Sequence, residues 1–210
     1  MKNKIKLILI TIMANLQIIN AQDIILPKPD TTGGKPLMEA FKKRSSNRSF
    51  SSKDLSLQEL SNLLWAADGI SHANGKRTAP SANAKYYISI YAALKSGVYL
   101  YDVTTHSLKQ LFKNDIREKT GTQDFNKIAP VNLIYVGEGS KFGKADETRK
   151  MLYYGVDTGS IAENVYLYCA SAGLSNVIKG MFDREMLTKE LQLKDDQYIT
   201  FTHAVGYSGE

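Results

Sequence analysis

A single cysteine, Cys169, excludes any disulfide within the chain and any thiolate-based metal cage. Histidine is almost as scarce: His72, His106 and His203 are scattered, with no His-Glu-x-x-His spacing that would hold zinc. Ser81 lacks the Gly-x-Ser-x-Gly elbow, and no ordered Asp and His come after it, which argues against a hydrolase. Gly34-Lys35 lacks the first glycine of a phosphate loop, and Pro36 stands where Ser or Thr should meet magnesium. There is no internal repeat, no low-complexity tract and no basic helix face, so a nucleic-acid partner is not expected.

One long apolar run is present. Lys2, Lys4 and Lys6 precede Leu7 to Ala14, and Asn15 and Gln17 interrupt its continuation. That run is shorter than the ~20 residues that span a bilayer, and it ends at Ile19-Asn20-Ala21. We read residues 1–21 as a cleavable signal peptide, with an uncleaved N-terminal anchor as the alternative. No cysteine comes after the run to carry lipid, so the mature chain is expected to be periplasmic or secreted, with no stable membrane anchor after cleavage. Cleavage removes three of the 27 basic residues and none of the 21 acidic ones, lowering the formal net charge from +6 to +3. Residues 22–35 read as an extended arm and 36–210 as one domain with a core of its own.

Local patterns supply the elements. Pro36 opens a short helix with Leu37, Ala40, Phe41 and Arg44 on one side. Ser56 and Glu59 form a capping box for a helix over Asp54 to Gly69, whose stripe is Leu60, Leu63, Leu64 and Ala67. Trp65, one residue off that stripe, reads as a core flank rather than a pocket wall. Tyr86 to Tyr91 alternates as a strand, Gly97 to Phe112 reads as a hairpin with His106 in its turn, and Asp115 to Lys127 reads as helical. Val131 to Val136 reads as a central strand. Lys144 to Leu174 carries the longest helical pattern, so apolar after Asp157 that the helix must be buried, with Cys169 as a small buried hydrophobe and Asn164 as a satisfied core amide. Asp183 caps a helix from Arg184 to Leu191, and Tyr198 to Tyr207 is a final strand.

Two segments carry candidate chemistry. In Lys43-Arg44-Ser45-Ser46-Asn47-Arg48, two guanidiniums and neighbouring hydroxyls leave a helix end together, a donor set suited to phosphate oxygens. In Arg77-Thr78-Ala79-Pro80-Ser81-Ala82-Asn83-Ala84, Pro80 fixes a turn and small residues let backbone approach a flat ligand, with Ser81 and Asn83 as hydrogen-bonding groups.

Taken together, Arg-x-Ser-x-Arg after a short helix and Ala-Pro-Ser-Ala-Asn some thirty residues later resemble the FMN-dependent nitroreductase family. Within it they are most similar to the azoline and peptide dehydrogenase branch, where Asn83 replaces a typical glycine; Gly-Val-Tyr-Leu-Tyr-Asp with His-x-Leu after it resembles the same branch. Asp157, Gly159 and Asn164 match that family's central-helix phrase, and Gly180-x-Phe182-Asp183 matches its flavin-ring segment. The resemblance implies an α+β fold with a mostly antiparallel sheet flanked by helices, a homodimer, and FMN at the dimer interface. It places the phosphate at Arg44, Ser45, Ser46 and Arg48, the ring against Pro80, Ser81, Ala82 and Asn83, and a backbone N–H donor to flavin N5 within Ile178, Lys179 and Gly180. Longer members add a basic tail on the phosphate; here Arg77 or Lys85 is expected to complete that shell.

The function implied is a flavin oxidoreductase passing electrons from a donor such as NAD(P)H to an organic acceptor by a ping-pong mechanism, with a small-molecule or peptide substrate and no side chain acting as a catalytic acid or base. The alternatives are a peptide azoline dehydrogenase and a non-enzymatic exported flavin-binding module.

Overall fold

A computed structural model describes residues 22–209; the expected signal peptide lies outside them. Seven strands form one antiparallel sheet: β1 (Ile24–Ile25), β2 (Ile88–Leu94), β3 (Gly97–Asp102), β4 (Ser107–Phe112), β5 (Val131–Glu138), β6 (Ser175–Lys179) and β7 (Gln197–Gly206). Their order is β1-β4-β3-β2-β5-β7-β6, which puts β5 inside and leaves β6 at one margin. Helices α1 (Leu37–Lys43), α2 (Leu57–Asp68), α3 (Phe125–Ile128), α4 (Glu147–Ala172) and α5 (Arg184–Glu190) flank it, giving the α+β architecture the sequence implies.

Strand alternation divides the core between the two sheet faces. Ile88, Ile90 and Ala92 of β2, with Leu133 and Tyr135 of β5, pack with Leu63 and Leu64 of α2 and Ile161, Val165 and Cys169 of α4. The intervening Tyr91, Ala93, Ile134 and Val136 meet Leu187 and Leu191 at α5. Burial of Cys169 pushes its thiol well above the usual range, as suits an inert hydrophobe.

The α2 capping box is present in full: the Ser56 hydroxyl accepts from the Glu59 N–H, and the Glu59 carboxylate accepts from the Ser56 N–H at 2.8 Å. Gly69 ends that helix in extended conformation, and a Cβ there would run into Trp65, so only glycine fits. The arm is not wholly irregular, since β1 pairs with β4.

Several expectations are corrected. Asp115 to Lys127 is not one helix but two single turns, Arg117–Thr120 and Phe125–Ile128, broken at Gly121, where the Asn126 side chain packs too close for a Cβ. The strand expected from Tyr86 starts at Ile88, because Tyr86 takes a positive φ of 50°. On α1 only Ala40 is buried; Leu37 and Phe41 are exposed. The long helix starts at Glu147, capped by Asp146; within the single chain its stretch after Asp157 is not buried all round, since Gly159, Glu163 and Ala172 are exposed, and before it Leu152 is 64% and Val156 57% exposed.

Candidate functional site

Helix α1 ends by handing the chain to Arg44, whose N–H closes the last turn on the Ala40 carbonyl. From there the segment runs along the free margin of β6, where the Asn47 N–H donates to the Asn176 carbonyl at 2.9 Å. Tyr166 of α4 is the pivot. Its hydroxyl lies 2.8 Å from Ser46 Oγ and accepts the Ile178 N–H at 3.2 Å, and the Arg44 guanidinium sits 5.2 Å from its ring centroid. The expected phosphate segment and ring segment of the chain are thus tied to one buried phenol, which no local sequence pattern singles out.

Arg44, Ser45, Ser46 and Arg48 are exposed, and among the described residues neither arginine forms an ion pair. Lys43 is different, since Glu39 holds it at 2.9 Å. Two uncompensated guanidiniums and a serine hydroxyl make a donor set that fits a phosphate dianion. Beneath them His203 packs with its ring tilted against that of Tyr166, centroids 5.0 Å apart, fully buried, with Nε2 facing Asn176 Oδ1 at 2.9 Å and Nδ1 facing the Tyr135 hydroxyl at 3.0 Å. The Asn176 carbonyl can only accept, so Nε2 carries the proton and Nδ1 takes the Tyr135 O–H. Burial, and then the neighbouring Lys179, lower the His203 pKa to about 3, so the ring is neutral.

Ile178 is half-buried and Gly180 exposed, whereas the Lys179 side chain turns into the protein and is buried. The Pro80–Asn83 segment lies elsewhere. Ser81 accepts the Tyr86 N–H at 2.8 Å, and the Tyr87 N–H reaches Asp157 at 3.3 Å; burial raises the Asp157 pKa, while Ser81 and Tyr87 oppose that shift. Pro80 and Asn83 are exposed and Ser81 and Ala82 half-buried. Asn83, Ala84 and Tyr86 all adopt positive φ, at 53°, 52° and 50°. Three such non-glycine residues so close together store strain, of the kind that gathers at ligand clamps.

Asp157 and Tyr166 are nine residues apart on α4, hence about 13 Å along its axis and ~180° around it. The cradle and the small-residue wall therefore flank opposite margins of the helix's buried arc. Arg77 does not join the cradle: it pairs with buried Asp68 and lies 4.2 Å over the Tyr86 ring, which leaves Lys85, exposed, as the remaining candidate. Burial drives the Asp68 pKa up to about 7 against the pull of Arg77.

Trp65 proves to be half-buried and to line a cavity of about 520 Å³ between the arm, α2 and α4, together with Asp30, Tyr168 and Ser171. Asn164 lines it too; its amide donates to the Ala67 carbonyl at 3.4 Å, so it is satisfied as expected but half-buried at the cavity rather than in the core. Among the described residues no helix is long and apolar enough to cross a membrane, and no group of three potential metal ligands occurs.

The site thus sets an exposed Arg/Ser segment against one margin of an antiparallel sheet and a strained small-residue turn beside the long helix that packs on it. The chain belongs to the nitroreductase family, whose profile matches residues 41–207. A nitroreductase relative from Methanocaldococcus jannaschii is 31% identical over 169 residues, covering 76% of this chain and 85% of its own. The crystal structure of a nitroreductase-type protein from Ralstonia eutropha superposes with a TM-score of 0.85 at 38% identity, covering 90% of each chain. An NADPH:FMN oxidoreductase from Vibrio harveyi, solved with NAD+, shares the fold at 18% identity and a TM-score of 0.64, over 83% of this chain and 69% of that one.

Proposed function

We propose that the chain is an FMN-dependent oxidoreductase that passes electrons from a reduced donor, with NAD(P)H the candidate, to an organic acceptor in two half-reactions. The observation that carries the reading is the meeting of Arg44, Ser46 and the Ile178 N–H on Tyr166, the guanidinium over its ring and the other two at its hydroxyl. A phosphate held by the unpaired guanidiniums would lie beside the margin of β6, next to the segment Ile178–Gly180. When bound, the flavin supplies the hydride chemistry, which no side chain here can perform. The chain's own residues bind and orient: Arg44, Ser46 and Arg48 hold the phosphate, the edge backbone offers a hydrogen bond to the ring, and Pro80 to Asn83 pack against it. His203 moves no proton, because both ring nitrogens are committed and the ring is sealed from solvent.

The reading includes a homodimer. Leu37, Met38 and Phe41 of α1 and Leu152 and Val156 of α4 leave apolar surface bare in the single chain. In an isologous contact across α4, the wall on one margin of a protomer can meet the cradle on the other margin of its partner. The NADPH:FMN oxidoreductase likeness supports the cofactor and donor. Export to the periplasm or medium belongs to the same proposal, supported by the residues from Lys2 to Ala21.

The Arg77-to-Ala84 phrase favours a second reading, in which the donor is an azoline ring in a peptide that the flavin oxidises, with oxygen as the acceptor that reoxidises the flavin. Anaerobic titration of the FMN-loaded protein separates the readings. Bleaching of the flavin absorption by NADH or NADPH, and then recovery with a nitroaromatic or quinone, is expected. A protein that takes up no FMN refutes the proposal; bleaching by a peptide azoline but by neither nicotinamide favours the second reading. Bound flavin that no donor reduces leaves an exported flavin-binding module.

A further inference from the structure

Lys179 is 6% exposed, and its ammonium nitrogen is enclosed by three oxygens: Thr120 Oγ1 at 3.3 Å, Asn132 Oδ1 at 2.8 Å, and Asn126 Oδ1. Each of these groups donates a proton elsewhere and turns an oxygen to the nitrogen. The Thr120 hydroxyl donates to the Arg117 carbonyl at 2.7 Å, the Asn126 amide to the Gln123 carbonyl at 2.6 Å, and the Asn132 amide to the Asn126 carbonyl at 2.9 Å. What faces the nitrogen is therefore three lone pairs. A neutral amine has two N–H groups and a lone pair of its own, which would point at one of them; only an ammonium, with three donors, satisfies the cage.

No carboxylate among the described residues lies within ion-pair distance of Lys179. The other groups against it are the neutral His203 and the Phe125 ring, 5.8 Å from the nitrogen, which also favours a cation. Desolvation pulls the Lys179 pKa down to about 7, and the three acceptors pull the other way. Buried positive charge normally has a protein counter-charge. Here the strand that carries it, β6, is the margin against which the Arg44–Arg48 segment lies, and the neighbouring Ile178 N–H is tied through the Tyr166 hydroxyl to Ser46.

We propose that Lys179 is a fixed, buried cation whose counter-charge is the reduced ligand, so that its side chain biases a flavin held along β6 towards the reduced form. This inference rests on the flavin reading above. Uptake of two electrons and one proton leaves the ring one unit more negative; the ammonium offsets that charge and transfers no proton itself. Lys179 is thus a positioning residue for charge, distinct from any role of its backbone N–H.

The test is the reduction potential of bound FMN at pH 7, read against a reference dye with dithionite as reductant, in wild type, Lys179→Gln and Lys179→Arg. Gln keeps two donors and removes the charge, so the ratio of reduced to oxidised flavin at fixed potential should fall roughly tenfold, a drop of about 30 mV for a two-electron couple. Lys179→Arg should stay close to wild type. If Lys179→Gln does not fold, Asn132→Asp puts a carboxylate on the intact ammonium and should lower the potential by a similar amount. An unchanged potential in whichever neutralised variant folds overturns the inference while leaving the flavin reading standing. A wild-type chain that binds no FMN overturns that reading instead, and this inference with it.

Discussion

Replacing Arg44 by alanine separates phosphate binding from ring binding. In the free chain its guanidinium touches the Tyr166 ring and no carboxylate, so little of the fold depends on it. An exposed cation–π contact contributes ~0.5–1 kcal/mol, and for a chain of this size that lowers Tm by only a few degrees. In the complex the same side chain makes a charge-assisted hydrogen bond to the phosphate. Because Arg44 is solvent-exposed before binding, the appropriate scale is the ~1.5–3 kcal/mol of a hydrogen bond to a charged group rather than that of a fully buried pair. At ~1.4 kcal/mol per decade, Arg44→Ala should weaken FMN roughly 10- to 150-fold. Riboflavin has the ring without the phosphate, so its affinity should hardly change. Titrations of both flavins by fluorescence quenching, on both proteins and at fixed salt, give the four constants. Equal losses for FMN and riboflavin would show that the arginine shapes the fold rather than the ligand, and the cradle reasoning would be wrong.

Asn83→Ala should weaken both flavins alike in the same titration, since Asn83 lies in the wall segment and holds a positive φ that alanine tolerates less well. His203 titrates near 6.5 when unfolded and about 3 when folded, so between those values the unfolded chain holds the extra proton and stability rises with pH. Stability should accordingly fall as pH drops below ~6.5, by up to ~1.4 kcal/mol per unit until about pH 3. Asp68, with a raised pKa, acts with opposite sign over part of that range, so the measurement is the difference between urea unfolding curves of wild type and His203→Gln; parallel pH profiles would contradict it. Val156→Lys, on the bare stripe of α4, should convert a dimer to monomer in sedimentation at micromolar concentration, and a variant that stays dimeric would move the interface elsewhere.

Features written in adjacent residues were legible in the sequence. Ser56 with Glu59, the hairpin through His106 and the Asp183 cap all form as their local patterns indicate, since each is closed by groups a few residues apart. The interruption at Gly121 was hidden because helical periodicity on either side is right; the chain turns extended there, and the Asn126 side chain fills the space a Cβ would need. Likewise, Arg77 looks like a free cation in the sequence, and its partner Asp68 is revealed only when the chain doubles back through the Ile70–Arg77 bridge. Tyr166 had no sequence signal at all. It is one of 12 tyrosines, and its importance comes from Ser46 and Ile178, 120 residues and 12 residues away. The reverse holds for Lys179, where a backbone role was read from a motif and the cage around its side chain comes from three other elements.

The hydrogen bond from the Asn47 N–H to the Asn176 carbonyl has a bearing on solubility as well as on ligand binding. A marginal strand with unpaired backbone groups is a template for association with a second chain. This sheet ends on one side in a two-residue strand, too short to recruit a neighbour, and on the other in β6, which the cradle segment covers. The residues proposed to hold a phosphate therefore also act as a guard strip. A change that peels residues 44–48 from β6 should trade not only affinity but resistance to aggregation, and a bound flavin that presses the strip down should raise both together.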